Sequence, residues 1–270
     1  MRWRGLIQLA RRTGRAGIMA GMDPAITALE RVAALHWQGV EQERLGDWLL
    51  RAAGGFTGRA NSALPLGDPG MPAGRAVAEV VAWYSRRDLT PMIVIVQGLR
   101  ARATDLDDLL VRCGWSAPRI PVMVMTARSE TVACYQRDIG MTLAAEPDTE
   151  WLALYRFMGE ALPPNALPVL MSAPVQMFAS VRRDGRTVAT GRLSLAGGWG
   201  GITAIDVDPA WRRAGLGTAV TAGLAAQATA HGADRLFLQV EEENTAARTL
   251  YARCGFTDHH RYHYRLAPGP

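Results

Sequence analysis

A mixed α/β fold, a central mixed sheet flanked by helices and built as two similar halves, is what this sequence predicts. Three observations carry that reading. A short continuous apolar run, Met92–Val96, has the length and bounds of a buried strand, and Arg235–Val240 reads as another. A strong turn signal, Asp184-Gly185, joins two strand-like segments, and helix and strand patterns then alternate. Finally, Leu109-Leu110-Val111-Arg112-Cys113-Gly114-Trp115 lies beside Leu250-Tyr251-Ala252-Arg253-Cys254-Gly255-Phe256, and the order of elements around the two stretches agrees. Duplication explains both. The competing explanation is two unrelated α/β segments that share a helix-stop glycine.

In chain order, Asp23-Pro24 reads as a helix start, with the helix running to about Trp37. Between Glu41 and Leu66, strands are expected at Asp47–Ala53 and Asn61–Leu66, around a Gly54–Gly58 turn. Helices at Arg75–Arg87 and Asp105–Cys113 and strands at Met92–Val96 and Ile120–Thr126 complete the first half. Asp148 then opens a helix through Glu160, which Pro163-Pro164 ends. The second half has a Val175–Arg182/Thr187–Leu195 hairpin, a turn at Gly197–Gly201 and a strand at Ile202–Val207. A helix at Ala210–His231, a strand at Arg235–Val240, a helix at Asn244–Cys254 and a strand at His259–Leu266 follow.

The chain of 270 residues is long enough for two ordinary domains. Its composition, 49% hydrophobic and 20% charged, is that of a globular protein rather than a disordered one. All 30 basic residues are Arg, and the net charge of +5 can attract anions. The Arg residues are scattered without an aromatic-studded stripe, which argues against nucleic acid as the partner. Cys113, Cys134 and Cys254 are too far apart for a disulfide framework or a zinc site, which suits a cytoplasmic protein. No apolar run is long enough to span a membrane, and residues 1–22 lack the unbroken apolar core of a signal peptide, so they read as a poorly packed extension.

The segment that carries chemistry is Val207-Asp208-Pro209-Ala210-Trp211-Arg212-Arg213-Ala214-Gly215-Leu216-Gly217-Thr218. A strand ends at Val207 and a helix begins within the loop. Gly215 and Gly217 keep side chains away, so successive backbone N–H groups can face one ligand, and the helix dipole favours a pyrophosphate there. The dinucleotide fingerprint is excluded because Val220 stands where its third glycine belongs, and no P-loop Gly-Lys-Ser/Thr is present. The pattern Arg212-x-x-Gly215-x-Gly217, its flanks, and Asn244 followed by Leu250-Tyr251 and Gly255-Phe256 resemble the GCN5-related N-acetyltransferase (GNAT) family. The likeness to one catalytic domain covers roughly Met141–Leu266, and the echo between halves resembles the tandem members, in which the first copy is degenerate. The resemblance implies an extension at 1–22, a degenerate GNAT-like domain at 23–134 and a catalytic domain at 135–267.

It also implies roles. Backbone groups of Ile205, Asp206 and Val207 would pair with the pantetheine arm of acetyl-CoA. Arg212, Arg213, Ala214, Gly215, Leu216, Gly217 and Thr218 would hold the pyrophosphate, and Asn244 would touch the cofactor arm. Tyr251 would protonate the leaving thiolate; a phenol of ordinary pKa near ~10 carries its proton at neutral pH. A packed core aromatic is the other reading of Tyr251. The base is open among Asp206, Glu241, Glu242, Glu243 and a water chain, because family positions that often hold Glu are here Trp199–Gly201 and Gln239. Asp206 on an otherwise apolar strand could equally be a hydrogen-bonded structural residue. His259, His260 and His263 lack the carboxylate or Cys spacing of a metal site, so no metal is expected. The first half has no Gly-x-Gly at its helix start and a Leu near Leu110 in place of the Tyr. Gly54–Ser62 is either an acceptor wall or a hairpin turn. The expected activity is acetyl transfer from acetyl-CoA to a primary amine, by direct attack. The acceptor reads equally as a small molecule or a protein or peptide amine, and the chain as a monomer or a homodimer. The competing readings are another acyl-CoA donor or a non-catalytic acyl-CoA sensor.

Overall fold

Asp23 caps the first helix, α1 (Pro24–His36): its Oδ1 accepts the Ala25 amide at 2.8 Å, and Pro24 at the first position has no N–H to leave unpaired. The computed structural model describes residues 23–98, 105–116, 120–156 and 159–269; the expected extension at 1–22 lies outside them. The described residues form two compact units, one reaching Val122 and resuming at His260, the other Met123–His259.

In the first unit, β1 (Glu41–Leu45), β2 (Trp48–Ala52) and β3 (Leu64–Pro65) form an antiparallel meander. The sequence reading missed β1, whose Glu41, Gln42, Glu43 and Arg44 are exposed and show no apolar alternation. The strand expected at Asn61–Leu66 shrinks to Leu64–Pro65 because Asn61 is committed to the preceding loop. Its Oδ1 accepts from the Ala53 and Gly55 amides at 2.7 and 2.8 Å, and its Nδ2 donates to the Phe56 and Thr57 carbonyls at 2.6 and 3.0 Å. Those bonds use both donors and both lone pairs of the amide. Gly54–Ser62 is thus a side-chain-stapled loop rather than a simple hairpin turn.

Helix α2 (Ala73–Ser85) buries Val77, Val80, Val81 and Tyr84. Strand β4 (Met92–Gly98) follows, then α3 (Asp105–Arg112). From His260 onward the last strand, β11 (Thr257–Leu266), pairs antiparallel with β4. Its alternation puts His260 on one face, 2.8 Å from Glu30 of α1, and His263 and Arg265 on the other, against Asp107 of α3. Burial alone would raise the Asp107 carboxyl; hydrogen bonds and charge from His263 and Arg265 outweigh it and hold the group down at about 2.

The second unit contains β5 (Val122–Arg128), α4 (Ser129–Ala133), β6 (Met141–Ala144), α5 (Thr149–Leu154) and α6 (Ala166–Leu170). These precede β7 (Val175–Arg183), β8 (Arg186–Ala196), β9 (Trp199–Val207), α7 (Leu216–Ala230), β10 (Arg235–Glu241) and α8 (Thr245–Arg253). Its strands run in the order β5-β10-β9-β8-β7-β6. The β7–β8 turn is the expected Asp184-Gly185, both with positive φ (51° and 77°). The turn expected across Gly197–Gly201 needs only Gly197 and Gly198; Trp199, Gly200 and Gly201 are already in β9. The helix expected from Asp148 to Glu160 leaves helical geometry at Tyr155. The helix expected from Ala210 starts at Leu216, because Arg213 and Gly215 have positive φ and break it.

Helix α7 lies directly on the sheet, and glycine makes the close approach possible. A Cβ at Gly191 would fall 2.7 Å from Val220 Cγ1, 2.8 Å from Ile205 Cδ1 and 2.9 Å from Leu224 Cδ1. One at Gly200 would fall 3.1 Å from Ala228 Cβ of α7 and 2.7 Å from Leu236 Cδ2 of the neighbouring strand. Val220 and Leu224 are fully buried, and each contributes roughly 1.5–3 kcal/mol by leaving water. Across the sheet, Trp151 of α5 donates to the Ala179 and Gly191 carbonyls at 3.1 and 3.4 Å. Among the described residues no helix is long and apolar enough to cross a membrane.

Two outcomes follow from this packing. Gly191→Ala overpacks the α7 seat and should lower unfolding free energy by about 1–3 kcal/mol, measured by urea unfolding. Asp107→Asn strands buried positive charge and should cost about 3 kcal/mol at neutral pH. Because the Asp107 pKa is depressed in the folded state, its contribution is complete above the ordinary value of 3.8 and disappears as pH falls through about 2. Acid titration of stability should therefore be shallower in Asp107→Asn than in the wild type.

Candidate active site

The parallel ladder between β9 and β10 runs only from Trp199↔Arg235 to Ile202↔Leu238. Beyond it β9 continues to Val207 and β10 to Glu241 with no residues paired to each other, so the two strands diverge. A bulge in β9 accompanies the divergence. Against β8, Thr203↔Arg192 is followed by Asp206↔Thr190, three steps of β9 for two of β8. The extra residue is accommodated at Ala204, which has φ 55° and whose carbonyl accepts from Thr190 Oγ1 at 3.2 Å. After the bulge, Ile205 and Val207 pack toward α7. Asp206 points to the α5 face, where its Oδ2 accepts the Arg156 amide at 3.4 Å.

The chain turns out of β9 on Asp208, whose Oδ1 accepts the Ala210 amide at 2.9 Å. Arg212 Nε donates back to the Val207 carbonyl at 3.0 Å. From Arg213 to Thr218 no backbone N–H meets an acceptor among the described residues; the first such bond at this helix end is Ala219 N–H to Gly215 O at 3.0 Å. A run of bare donors therefore stands at the positive end of a 15-residue helix, an anion-binding arrangement. Gly217 brings this end onto α8: a Cβ there would lie 3.1 Å from Leu250 Cδ1.

Tyr251 follows Leu250 and packs edge-on against Phe256 with ring centroids 5.9 Å apart. Desolvation first, then the nearby Cys254 and Asp206, push its phenol well above the usual tyrosine range although the side chain is only half-buried. That Asp206 acts on Tyr251 electrostatically relates the two residues proposed as base and acid, from opposite faces of the sheet. Cys254 is buried, hydrogen-bonded to Thr218, and raised by burial, which disfavours a thiolate nucleophile. Asn244 serves as the α8 N-cap, its Oδ1 accepting the Ala247 amide at 3.0 Å. Glu241 to Glu243 form the turn ahead of it, with the Glu241 carbonyl accepting the Asn244 amide at 2.9 Å.

Asp206 also lines a cavity of about 730 Å3, together with Glu150, Arg156, Arg186, Asp208 and Arg212. Glu241–Glu243 are not among its lining residues. Sequence reasoning missed Glu150, Arg156 and Arg186, which come from separated segments with no motif. Among the described residues, no group of three or more His, Cys, Asp or Glu could hold a metal ion.

The first unit keeps the outline of this site with a shortened run of donors. Asp68 Oδ1 accepts the Gly70 amide at 2.8 Å, as Asp208 does for Ala210, but α2 starts on Pro72, which has no N–H. Arg75 and Ala76 both bond the Pro72 carbonyl, so only the Ala73 and Gly74 amides after Pro72 stay without a backbone acceptor among the described residues, against six consecutive amides at Arg213–Thr218. Both units close the following helix with the same glycine motif: Trp115 N–H to Leu110 O and Gly114 N–H to Val111 O match Phe256 to Tyr251 and Gly255 to Ala252. The Tyr251 position is thus occupied by a buried Leu110.

Comparison with known proteins agrees with this duplicated architecture. Residues 24–265 match the family described as "Probable histone acetyltransferase Rv0428c C-terminal". The chain is 31% identical over 248 residues to "Uncharacterized N-acetyltransferase YobR" of Bacillus subtilis (strain 168), covering 89% of this chain and 98% of that one. It is 30% identical over 251 residues to "Probable histone acetyltransferase Rv0428c" of Mycobacterium tuberculosis (strain ATCC 25618 / H37Rv), covering 89% and 73%. In fold it resembles a GCN5-related N-acetyltransferase from Kribbella flavida, with a TM-score of 0.65, 19% identity and coverage of 95% and 98%. It also resembles a tandem GNAT protein from the clavulanic acid biosynthesis pathway, with a TM-score of 0.58, 14% identity and coverage of 99% and 94%. Matched along most of its length, the chain belongs to the Rv0428c C-terminal family and is an acetyltransferase of the GNAT type.

Proposed function

We propose that the protein transfers an acetyl group from acetyl-CoA to a primary amine by direct attack in a ternary complex. The observation that carries this reading is the run of bare N–H donors from Arg213 to Thr218 at the mouth of the β9–β10 opening. A pyrophosphate fits that run, with Arg212 and Arg213 adding charge, and an extended pantetheine arm suits the open edge at Ile205–Val207. Tyr251 then stands at the inner end. The assigned groups fall within 135–267, the catalytic half, of which 23–134 is the degenerate copy.

The amine must be neutral to attack. Asp206 accepts its proton, directly or through one water, on the α5 face. The amine nitrogen bonds to the acetyl carbonyl carbon, the carbon–sulfur bond breaks with its electrons remaining on sulfur, and the nitrogen passes its second proton to solvent to leave the neutral amide. Tyr251, from the opposite face, hydrogen-bonds that sulfur and supplies the proton of the departing thiol; bulk water restores it. No covalent acetyl-enzyme is involved, consistent with the buried, protonated Cys254.

Coenzyme A should bind once per chain by calorimetric titration, and Gly217→Glu should abolish binding, because its side chain starts 3.1 Å from Leu250 Cδ1 and forces the donor-bearing helix end off α8. Two equivalent sites, or wild-type affinity in that variant, would show the loop to be misassigned. Tyr251→Phe keeps the ring and should lower turnover by roughly ten- to a thousand-fold with little change in cofactor affinity. Since the phenol pKa is raised, Tyr251 stays protonated through the alkaline range, and wild-type kcat should show no downward limb from its ionisation below about pH 10. An alkaline loss near pH 9 that Tyr251→Phe removes would contradict this.

A further inference from the structure

The cavity beside Asp206 contains more hydrogen-bonding charge than proton transfer requires. All three of its carboxylates accept hydrogen bonds, Asp206 from two backbone amides only, Val207 on Oδ1 at 2.9 Å and Arg156 on Oδ2 at 3.4 Å. Glu150 Oε2 accepts from the Thr187 amide and hydroxyl at 3.0 and 2.9 Å and lies 3.7 Å from Arg182 Nε. Asp208 holds the turn that leads into the donor loop. The guanidiniums are not engaged in the same way. Arg156 and Arg186 make no side-chain hydrogen bond or ion pair among the described residues, and Arg212 uses its Nε on a carbonyl, leaving its terminal nitrogens without a carboxylate. The lining thus offers two carboxylates free of a charged partner, Asp206 and Asp208, of which Asp208 is spent on the turn, and two guanidiniums free of one, Arg156 and Arg186, besides the Arg212 assigned to the cofactor.

Resting on the transferase reading above, we propose that this cavity is the acceptor site and that the acceptor is itself an anion-bearing amine of amino-acid type. Its carboxylate docks on Arg156 and Arg186, whose planar forks match a carboxylate's two oxygens, and its amino group faces Asp206. The volume of about 730 Å3 falls in the range of small-molecule sites and leaves room for a side chain beyond the amine and carboxylate. The face of the sheet argues for the acceptor over the cofactor as the source of the anion. Asp206 and the Arg156 amide meet on the α5 face, whereas the bare N–H donors begin the helix seated on Ile205 and Val207; Val207 and Arg212, which also line the cavity, mark where it borders the cofactor path. Arg156 and Arg186 act here as specificity-determining residues, without part in the proton transfers.

The test compares acetylation of amino acids with that of their amides, glycine against glycinamide and lysine against lysinamide among them, by the full-length protein. Free acids should show kcat/KM at least tenfold above their amides. Arg156→Gln and Arg186→Gln should erase most of that advantage while the KM for acetyl-CoA stays within twofold. Amides used as well as acids, an advantage that survives both substitutions, or acetylation confined to amines without an anion would overturn the inference. So would failure of every free acid as an acceptor; if coenzyme A still binds and Gly217→Glu still abolishes binding, that failure belongs to the acceptor assignment and not to the transferase reading. A second arm uses acetyl-CoA lacking its 3′-phosphate. Should either Arg substitution raise the KM for acetyl-CoA but not for the dephospho form, the guanidiniums serve the cofactor's phosphate, and the acceptor assignment falls.

Discussion

The seat of α7 on the sheet is the constraint from which the site follows. A helix can present its first amides to a ligand at a strand's end only if it lies close against that strand. Gly191 and Gly200 permit this by leaving the space that a Cβ would occupy against Val220, Ile205, Leu224 and Leu236. Gly217 then allows the same helix end to touch Leu250, the neighbour of Tyr251. Three glycines on three elements thereby fix the distance between a donor loop and a phenol, with interior packing as the restoring force. Helix position here is chemistry by geometry: the anion site and the acid move together.

The second determinant is the bulge at Ala204. A regular β9 would keep its alternation and its partner β10, and its backbone edge would be satisfied within the sheet. The extra residue ends that regularity just where the parallel ladder stops, and it re-aims Asp206 toward α5 while Ile205 and Val207 remain with α7. Acid and base candidates consequently approach one opening from opposite faces. The first unit illustrates what is left when only the scaffold persists. It retains the Asp turn and the glycine closure, yet Pro72 shortens the donor run and Leu110 replaces the hydroxyl. Its buried polar groups are instead satisfied internally, Asn61 within its loop and Asp107 with His263 and Arg265.

Much of this was legible in the sequence because it depends on local rules. Gly215 and Gly217 after a strand-ending Val207, the Asp184-Gly185 turn, and the closing Gly114 and Gly255 announce themselves by residue type. The rest depends on tertiary context. Ala204 in a left-handed conformation carries no signal, since alanine, unlike glycine or asparagine, does not mark a positive φ. The helix start was misjudged by the reading from Ala210, because an uninterrupted pattern does not reveal that Arg213 departs from helical φ. Strand β1 is polar on both faces and was invisible to hydrophobic periodicity. The Asp206 cavity draws on the segments around Glu150, Arg186 and Arg212, which only folding brings together.

The central claim is that the donor run at the start of α7, and not its shortened counterpart at α2, receives the cofactor. Backbone amide hydrogen exchange with and without saturating coenzyme A addresses it residue by residue. The account predicts new protection at Arg213–Thr218 and along Ile205–Val207, with the amides of Gly70–Ala76 unchanged. Protection at Gly70–Ala76, or none at Arg213–Thr218 while coenzyme A is bound, would contradict it.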